Sequence, residues 1–273
     1  MAANRRNCDV MIIDTHVHVW PDEIASRALA APRGDLIRFG DGTVSGALAA
    51  MDQAGIDKAI TLNVANLARH VERTNTFAES LPADRFIGFG TIHPDLSVEE
   101  NLASLERHNI PGVKIHPLFQ GFALDDRRLW DILDPMRGTY VCIIHVGEGG
   151  ESSANDRCTP EMLRNLIEAL PGLDVVACHF GGYRRHEEAA SYIQGLPVYL
   201  DTSWPPGLVS VAPEIVRDVV RRHGADRIVF GSDWPMSDPE QDVDTLRRIG
   251  LTDEEVHMIL GGNMANLLGL SSP

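Results

Sequence analysis

The sequence predicts an α/β protein folded as a closed (β/α)8 barrel, the TIM barrel, in a single domain over residues 1–273 with the barrel itself at about 10–269. Short apolar runs alternate with helical patterns eight times along the chain,. Those runs read as strands buried on both faces, as parallel strands beneath helices are. The length of 273 residues also suits one such barrel, which takes about 250. An open doubly wound sheet would usually carry a glycine-rich phosphate turn after its first strand. That place holds Asp14-Thr15-His16-Val17-His18 instead.

The first strand covers about 10–16, and an irregular insert with three glycines and two prolines follows over 19–42. It is too long for an ordinary connection and is expected to shape a pocket or a lid. A helix near 43–54 ends at Gly55, a C-cap signal,. Strands at Lys58–Asn63 and Phe86–Thr91 flank a helix over about 67–80, and another helix follows near 97–108. The fourth strand, Gly112–His116, is closed by Pro117; a second insert, 117–125, leads to a helix near 126–137. Strand five is Tyr140–His145, and a helix over 160–170 opens on Thr159-Pro160, an N-cap followed by proline at the first helical position,. Strand six, Asp174–His179, precedes a helix near 185–194; strand seven is Val198–Asp201, followed by a helix over 212–223. Strand eight is Arg227–Gly231, and the chain finishes with helical segments near 239–248, 252–260 and 262–269.

A formal net charge of −15 argues against a nucleic-acid partner, which would need clustered Lys and Arg. No run of about 18 apolar residues suggests a membrane span, and the start of the chain does not read as a signal peptide. The four cysteines form no Cys-x-x-Cys pair, and Cys142 and Cys178 sit in apolar runs. A reducing, cytoplasmic location without a disulfide framework is expected.

Active sites of such barrels sit at the C-terminal ends of the strands. Strand one supplies His16 and His18, which share a face by alternation, as does Asp14 one step deeper,. Strand four supplies Lys114 and His116, strand five His145, strand six His179 and strand eight Asp233. Each of these groups can bind a metal or move a proton, and imidazole is the commonest metal ligand. A pair of hydrogen-bonded histidines would explain strand one alone; the recurrence on strands five, six and eight points to a metal site.

The segments Ile12-Ile13-Asp14-Thr15-His16-Val17-His18, Gly112-Val113-Lys114-Ile115-His116-Pro117, His145-Val146-Gly147, His179-Phe180-Gly181-Gly182 and Gly231-Ser232-Asp233-Trp234-Pro235 together resemble the amidohydrolase superfamily. Within it they resemble the amidohydrolase-2 branch, which holds metal-dependent hydrolases beside aminocarboxymuconate-semialdehyde decarboxylase and its relatives. The resemblance implies that His16, His18, His145 and Asp233 hold one divalent metal, usually Zn2+. It implies that His179 touches substrate or shuttles a proton, and that Asp233 and His179 are catalytic. In binuclear members a carboxylated lysine on strand four bridges two metals and the strand-six histidine binds the second; Lys114 and His179 stand at those places, or Lys114 pairs with a substrate carboxylate or Asp233. Branch members are often homodimers.

Three imidazoles and one carboxylate suit Zn2+ with a further position for water, whose pKa the ion lowers to about 7. Asp233 would accept the water's proton, and Asp14 would fix a histidine tautomer from behind,. His116 would line the pocket, Arg184 and Arg185 would clamp a substrate carboxylate, and Trp20 and Trp204 would wall an apolar ring,. His70, His93, His108, His186, His223 and His257 are expected at the surface. The expected activity is hydrolysis of an ester, lactone or amide in a small molecule, with an anionic one compatible with the site. The alternatives are metal-dependent decarboxylation of an unsaturated or aromatic acid and a non-catalytic metal-binding protein on the same fold.

Overall fold

A computed structural model describes residues 11–30, 37–149 and 152–270. Eight parallel strands form the barrel: β1 Ile13–Val17, β2 Lys58–Leu62, β3 Phe86–Phe89, β4 Gly112–Ile115, β5 Val141–Ile144, β6 Asp174–Ala177, β7 Tyr199–Asp201 and β8 Ile228–Val229. They run as two ladders, β1-β2-β3 and β4-β5-β6-β7-β8. Single bridges join the ladders at Gly90↔Val113 and Val17↔Trp234. Backbone bonds reinforce both junctions: Lys114 N to Gly90 O at 2.9 Å on one side, and Thr15 N to Phe230 O at 2.8 Å on the other.

Alternation along the strands sorts the side chains. One set, including Ile13, Ile60, Phe89, Ile143, Val176 and Val229, forms a core with Met264. The opposite set packs against the helices, with Leu105, Ile132, Leu163, Val216 and Leu246 among its partners. Gly112 leaves room for the Phe89 ring, which a Cβ there would strike. The strands are thus filled with apolar side chains, and polar groups gather where they end.

The helices follow the sequence reading with shifted ends. Val44–Ala54 starts on the Thr43 side chain and stops at Gly55, whose φ of 70° is left-handed,. Thr159 caps Pro160–Ala169 through Met162 N. The 19–42 insert contains a helix, Asp22–Ala30, which the sequence reading missed; residues 31–36 of that insert lie outside the described residues. The 117–125 insert likewise carries one helical turn, Pro117–Gln120. The segment expected as a helix over 252–260 is α-helical only to His257, widens to a π turn over Met258–Gly262 and resumes as Asn263–Leu267. There Gly261 packs so closely that a Cβ would collide with the Met11 carbonyl, while Ile259 O accepts from Phe230 N at 2.8 Å. Strand six stops at Ala177 rather than at His179, because His179 and Phe180 take left-handed φ values of 59° and 53°. Among the described residues no helix is long and apolar enough to cross a membrane. Cys142, Cys158 and Cys178 are buried free thiols.

Candidate metal centre and active-site cavity

β1 aims two imidazoles into one mouth of the barrel. His16 Nδ1 bonds Asp201 Oδ2 at 2.7 Å, and His18 Nδ1 bonds the Leu62 carbonyl at 3.0 Å. Both partners accept, so each ring carries its proton on Nδ1 and keeps the electron pair of Nε2. Those two Nε2 atoms face one carboxylate oxygen, Asp233 Oδ1, at 3.7 Å and 3.3 Å. The three ligand atoms lie within 4.8 Å of one another.

Asp233 reaches that position through the turn after β8. Gly231 is required there, since a Cβ would come within 2.8 Å of His16 Cβ and 3.2 Å of Thr15 Oγ1. Asp233 takes a left-handed φ of 67°, a conformation aspartate tolerates better than most residues,. Its N–H donates to His16 O at 2.8 Å. Asp14 pins the turn from below, accepting from Ser232 N at 3.0 Å, Ser232 Oγ at 2.6 Å and His16 N at 3.0 Å. Asp14 therefore holds backbone and a serine rather than a histidine ring, and the tautomer of His16 is set by Asp201. Burial pushes the Asp14 carboxyl up to about 7. Burial acts the same way on Asp233, but in their protonated forms the neighbouring His16, His18 and His179 outweigh it and hold that carboxyl at about 2.

Asp201 at the end of β7 organises a second part. Its Oδ1 accepts from His179 N at 2.7 Å, Ser203 N at 3.1 Å and Ser203 Oγ at 2.6 Å. With its hydroxyl proton spent on Asp201, Ser203 Oγ accepts from His179 Nδ1 at 2.8 Å. His179 Nε2 is thereby left with an electron pair, and it faces His145 Nδ1 at 3.1 Å. His145 uses its other nitrogen to donate to the Glu148 carbonyl at 2.9 Å. Two electron pairs thus confront each other, and burial lowers both imidazoles' affinity for a proton,. A shared proton or a cation relieves that conflict. Asp201 and Ser203 were absent from the sequence-derived set, although Asp201 ends a strand on the same pattern as the others.

Lys114 is fully buried and directs Nζ to Cys178 Sγ at 2.9 Å and towards His16 Nε2 at 3.4 Å. It makes no ion pair with Asp233. Cys178, read from sequence as a small core hydrophobe, also belongs to a second group of converging donors with His16 and His179. His116 stacks between Phe119, at 3.8 Å and 10°, and His145, at 4.1 Å and 9°. Among the described residues its buried Nδ1 has no hydrogen-bond partner.

All of this opens into a cavity of about 680 Å3, lined at its inner end by His16, His18, Lys114, His145, His179 and Asp233. Trp20, Ile24, Leu62, Phe77 and Phe119 form apolar walls, and Arg27 and Arg73 are its arginines. The residues expected to clamp a carboxylate lie elsewhere: Arg185 is paired with Asp156 at 3.0 Å and Glu188 at 3.2 Å, and Arg184 lies over the Tyr183 ring at 5.2 Å. Neither they nor Trp204 line the cavity; Trp204 stacks on His186 at 4.4 Å. Three histidines expected at the surface are buried. His223 bonds the Val198 carbonyl, His93 accepts from Asp95 N, and His108 bridges Glu72 and Glu79.

The donor set fits a divalent cation. His16 and His18 turn their Nε2 atoms to the Asp233 carboxylate, and buried partners at Nδ1 fix the tautomer of each neutral ring, as ligating histidines require,. His145 stands outside that trio, turned to His179 and Glu148.

The family model described as amidohydrolase matches residues 13–270. No curated protein matches the chain. Among solved structures, an uncharacterised TIM-barrel protein from Bordetella bronchiseptica is 19% identical, with a TM-score of 0.74 over 96% of this chain and 99% of that one. A dihydroxybenzoic acid decarboxylase from Polaromonas sp., with bound manganese and the inhibitor 2-nitroresorcinol, is 18% identical, with a TM-score of 0.73 over 96% and 97%. A probable 2-pyrone-4,6-dicarboxylic acid hydrolase from Acinetobacter baumannii, with citric acid bound, is 18% identical, with a TM-score of 0.65 over 94% and 99%. At these identities the likeness establishes the TIM-barrel fold.

Proposed function

The chain belongs to the amidohydrolase family, and from that premise we propose that it is a metal-dependent enzyme that hydrolyses an ester, lactone or amide of a small organic molecule. His16, His18 and Asp233 hold the ion, with Zn2+ the best match to imidazole and carboxylate donors,. His145 completes the set by turning its ring away from His179. When bound, the ion supplies Lewis acidity to a carbonyl oxygen and to water.

The chain's own groups do the rest. The Asp233 carboxylate, held ionised, accepts the proton of the attacking water. His179, oriented by Ser203 and Asp201, polarises the carbonyl or returns a proton to the leaving group. The apolar walls exclude bulk water from the inner end,. The observation that carries this reading is the convergence of two tautomer-fixed Nε2 atoms on Asp233 Oδ1.

A second reading, non-oxidative decarboxylation of an unsaturated or aromatic acid, draws on one feature. Lys114 lines the inner end beside His116, His145 and His179, where its Nζ would hold a carboxylate. Elemental analysis of the purified protein, followed by lactone, ester and amide panels beside CO2 release from candidate acids, decides between the two. Hydrolysis with about one metal per chain, both lost in His16→Ala, is the expected result. Release of CO2 without hydrolysis replaces the first reading with the second, and tight metal binding with no turnover on any panel overturns both.

A further inference from the structure

We propose that the substrate carries an anionic group remote from the bond that is broken, and that Arg27 and Arg73 hold it at the cavity mouth. The inference rests on the preceding assignment of the cavity's inner end as the place of reaction. Arg27 projects from Asp22–Ala30 and Arg73 from Val71–Glu79, and both line the cavity whose floor is the histidine–aspartate cluster. Both are exposed.

Neither arginine makes an ion pair or hydrogen bond among the described residues, although both line a cavity. Acidic residues outnumber basic ones 39 to 24, and several arginines elsewhere find carboxylates: Arg85 with Asp52 at 2.8 Å, Arg107 with Glu72 at 2.6 Å, Arg185 with Asp156 at 3.0 Å and Arg248 with Asp244 at 2.9 Å. Glu23 lines the same cavity one helical turn from Arg27, yet the two are not joined. The mouth therefore presents two open guanidinium forks in a protein of net charge −15. A guanidinium is the donor suited to two-point capture of a carboxylate. Away from the mouth, the acidic surface repels anions.

Between mouth and floor the wall is apolar, built from Trp20, Ile24, Leu62, Val64, Phe77 and Phe119. The cavity's sequence from outside to inside is thus cationic, apolar, then metal-ligating. A ligand matching that order has an acid at one end, a hydrocarbon or ring in the middle and an acyl bond at the other end. Hydrolysis breaks the acyl carbon's bond to oxygen or nitrogen, puts the water's hydroxyl on that carbon to make a second carboxylate, and sends a proton to the departing alcohol or amine. The acid product is then an elongated dianion, so dicarboxylates are product-shaped probes that need no turnover.

The test uses the zinc-loaded protein and calorimetric titration with linear dicarboxylates from succinate to sebacate, each beside the monocarboxylate of equal chain length. At least one dicarboxylate should bind about tenfold more tightly than its match. In the double variant R27Q/R73Q that ratio should fall to about twofold or less, while R69Q, which removes a charge from a residue outside the cavity lining, should keep it. Equal binding of every pair, an undiminished ratio in the double variant, or an equal loss in R69Q overturns the proposal. An arginine-dependent preference in a protein that hydrolyses nothing would sink the hydrolase reading and leave this one standing. Hydrolysis of neutral esters without any dicarboxylate preference would do the reverse.

Discussion

The substitution Asp201→Asn isolates one job of one carboxylate. Asp201 receives three donors on Oδ1, from His179 N, Ser203 N and Ser203 Oγ, and one on Oδ2, from His16 Nδ1 at 2.7 Å. An asparagine of the same shape must keep its oxygen where the three donors are, so its NH2 turns to His16 Nδ1. Two N–H groups cannot share that contact. His16 then moves its proton to Nε2 and withdraws the electron pair that faces Asp233. Loss of one charge-assisted hydrogen bond is worth about 1.5–3 kcal/mol, and removal of a partner that orients a metal ligand typically costs about 10–100-fold in affinity, or ~1.4–2.7 kcal/mol. The two routes agree, so zinc affinity should fall about 10–100-fold, measured by competition with a chromogenic chelator on a variant whose thermal melt remains cooperative. A folded Asp201→Asn protein with affinity within about twofold of the parent's would refute the tautomer argument.

Gly231→Ala places a Cβ 2.8 Å from His16 Cβ; overpacking of this kind costs about 1–3 kcal/mol, to be read in urea unfolding, with metal affinity falling at the same time. His179→Ala should retain a single metal and lose most turnover; elemental analysis showing one of two ions lost would point instead to a binuclear site with carboxylated Lys114. His108 has its proton affinity raised, chiefly by Glu79. Its contribution to stability is complete below its ordinary value of 6.5 and disappears as the pH climbs through the raised folded value,. Thermal melts from weakly acidic to alkaline pH should show that decline, and it should be missing in His108→Gln. A parent that is equally stable across the range would contradict this.

Residues on strands were the most legible part of the site. Strict alternation fixes which of Asp14, Thr15, His16, Val17 and His18 share a face, and a barrel strand end admits only one destination for that face. The same logic placed Lys114 and Asp233 at one mouth, though it did not foresee that Lys114 would spend its contacts on Cys178 and His16. Asp201 obeys the alternation too, but a lone aspartate at a strand end looks no different from a loop cap until its partners are known. The mouth arginines were illegible for another reason. Arg27 sits in a helix hidden inside a glycine- and proline-rich insert, and the angle at which Asp22–Ala30 and Val71–Glu79 cross the mouth depends on packing between segments far apart in sequence. Arg184 and Arg185 were drawn to the mouth by sequence proximity to His179. A left-handed kink at His179 and Phe180 redirects the chain after them.

The barrel closes on itself at the junction of β8 with β1 through few backbone bonds. His16 and His18 stand on one bank of that junction and Asp233 on the other. An ion gripped by all three would act as a clasp across this ring closure of the cylinder. Its grip on the native state alone raises stability by RT ln(1 + [L]/Kd), about 2.7 kcal/mol at a hundredfold excess over Kd. Chelation should then loosen the architecture as well as silence the chemistry, and the melting temperature should follow free zinc concentration.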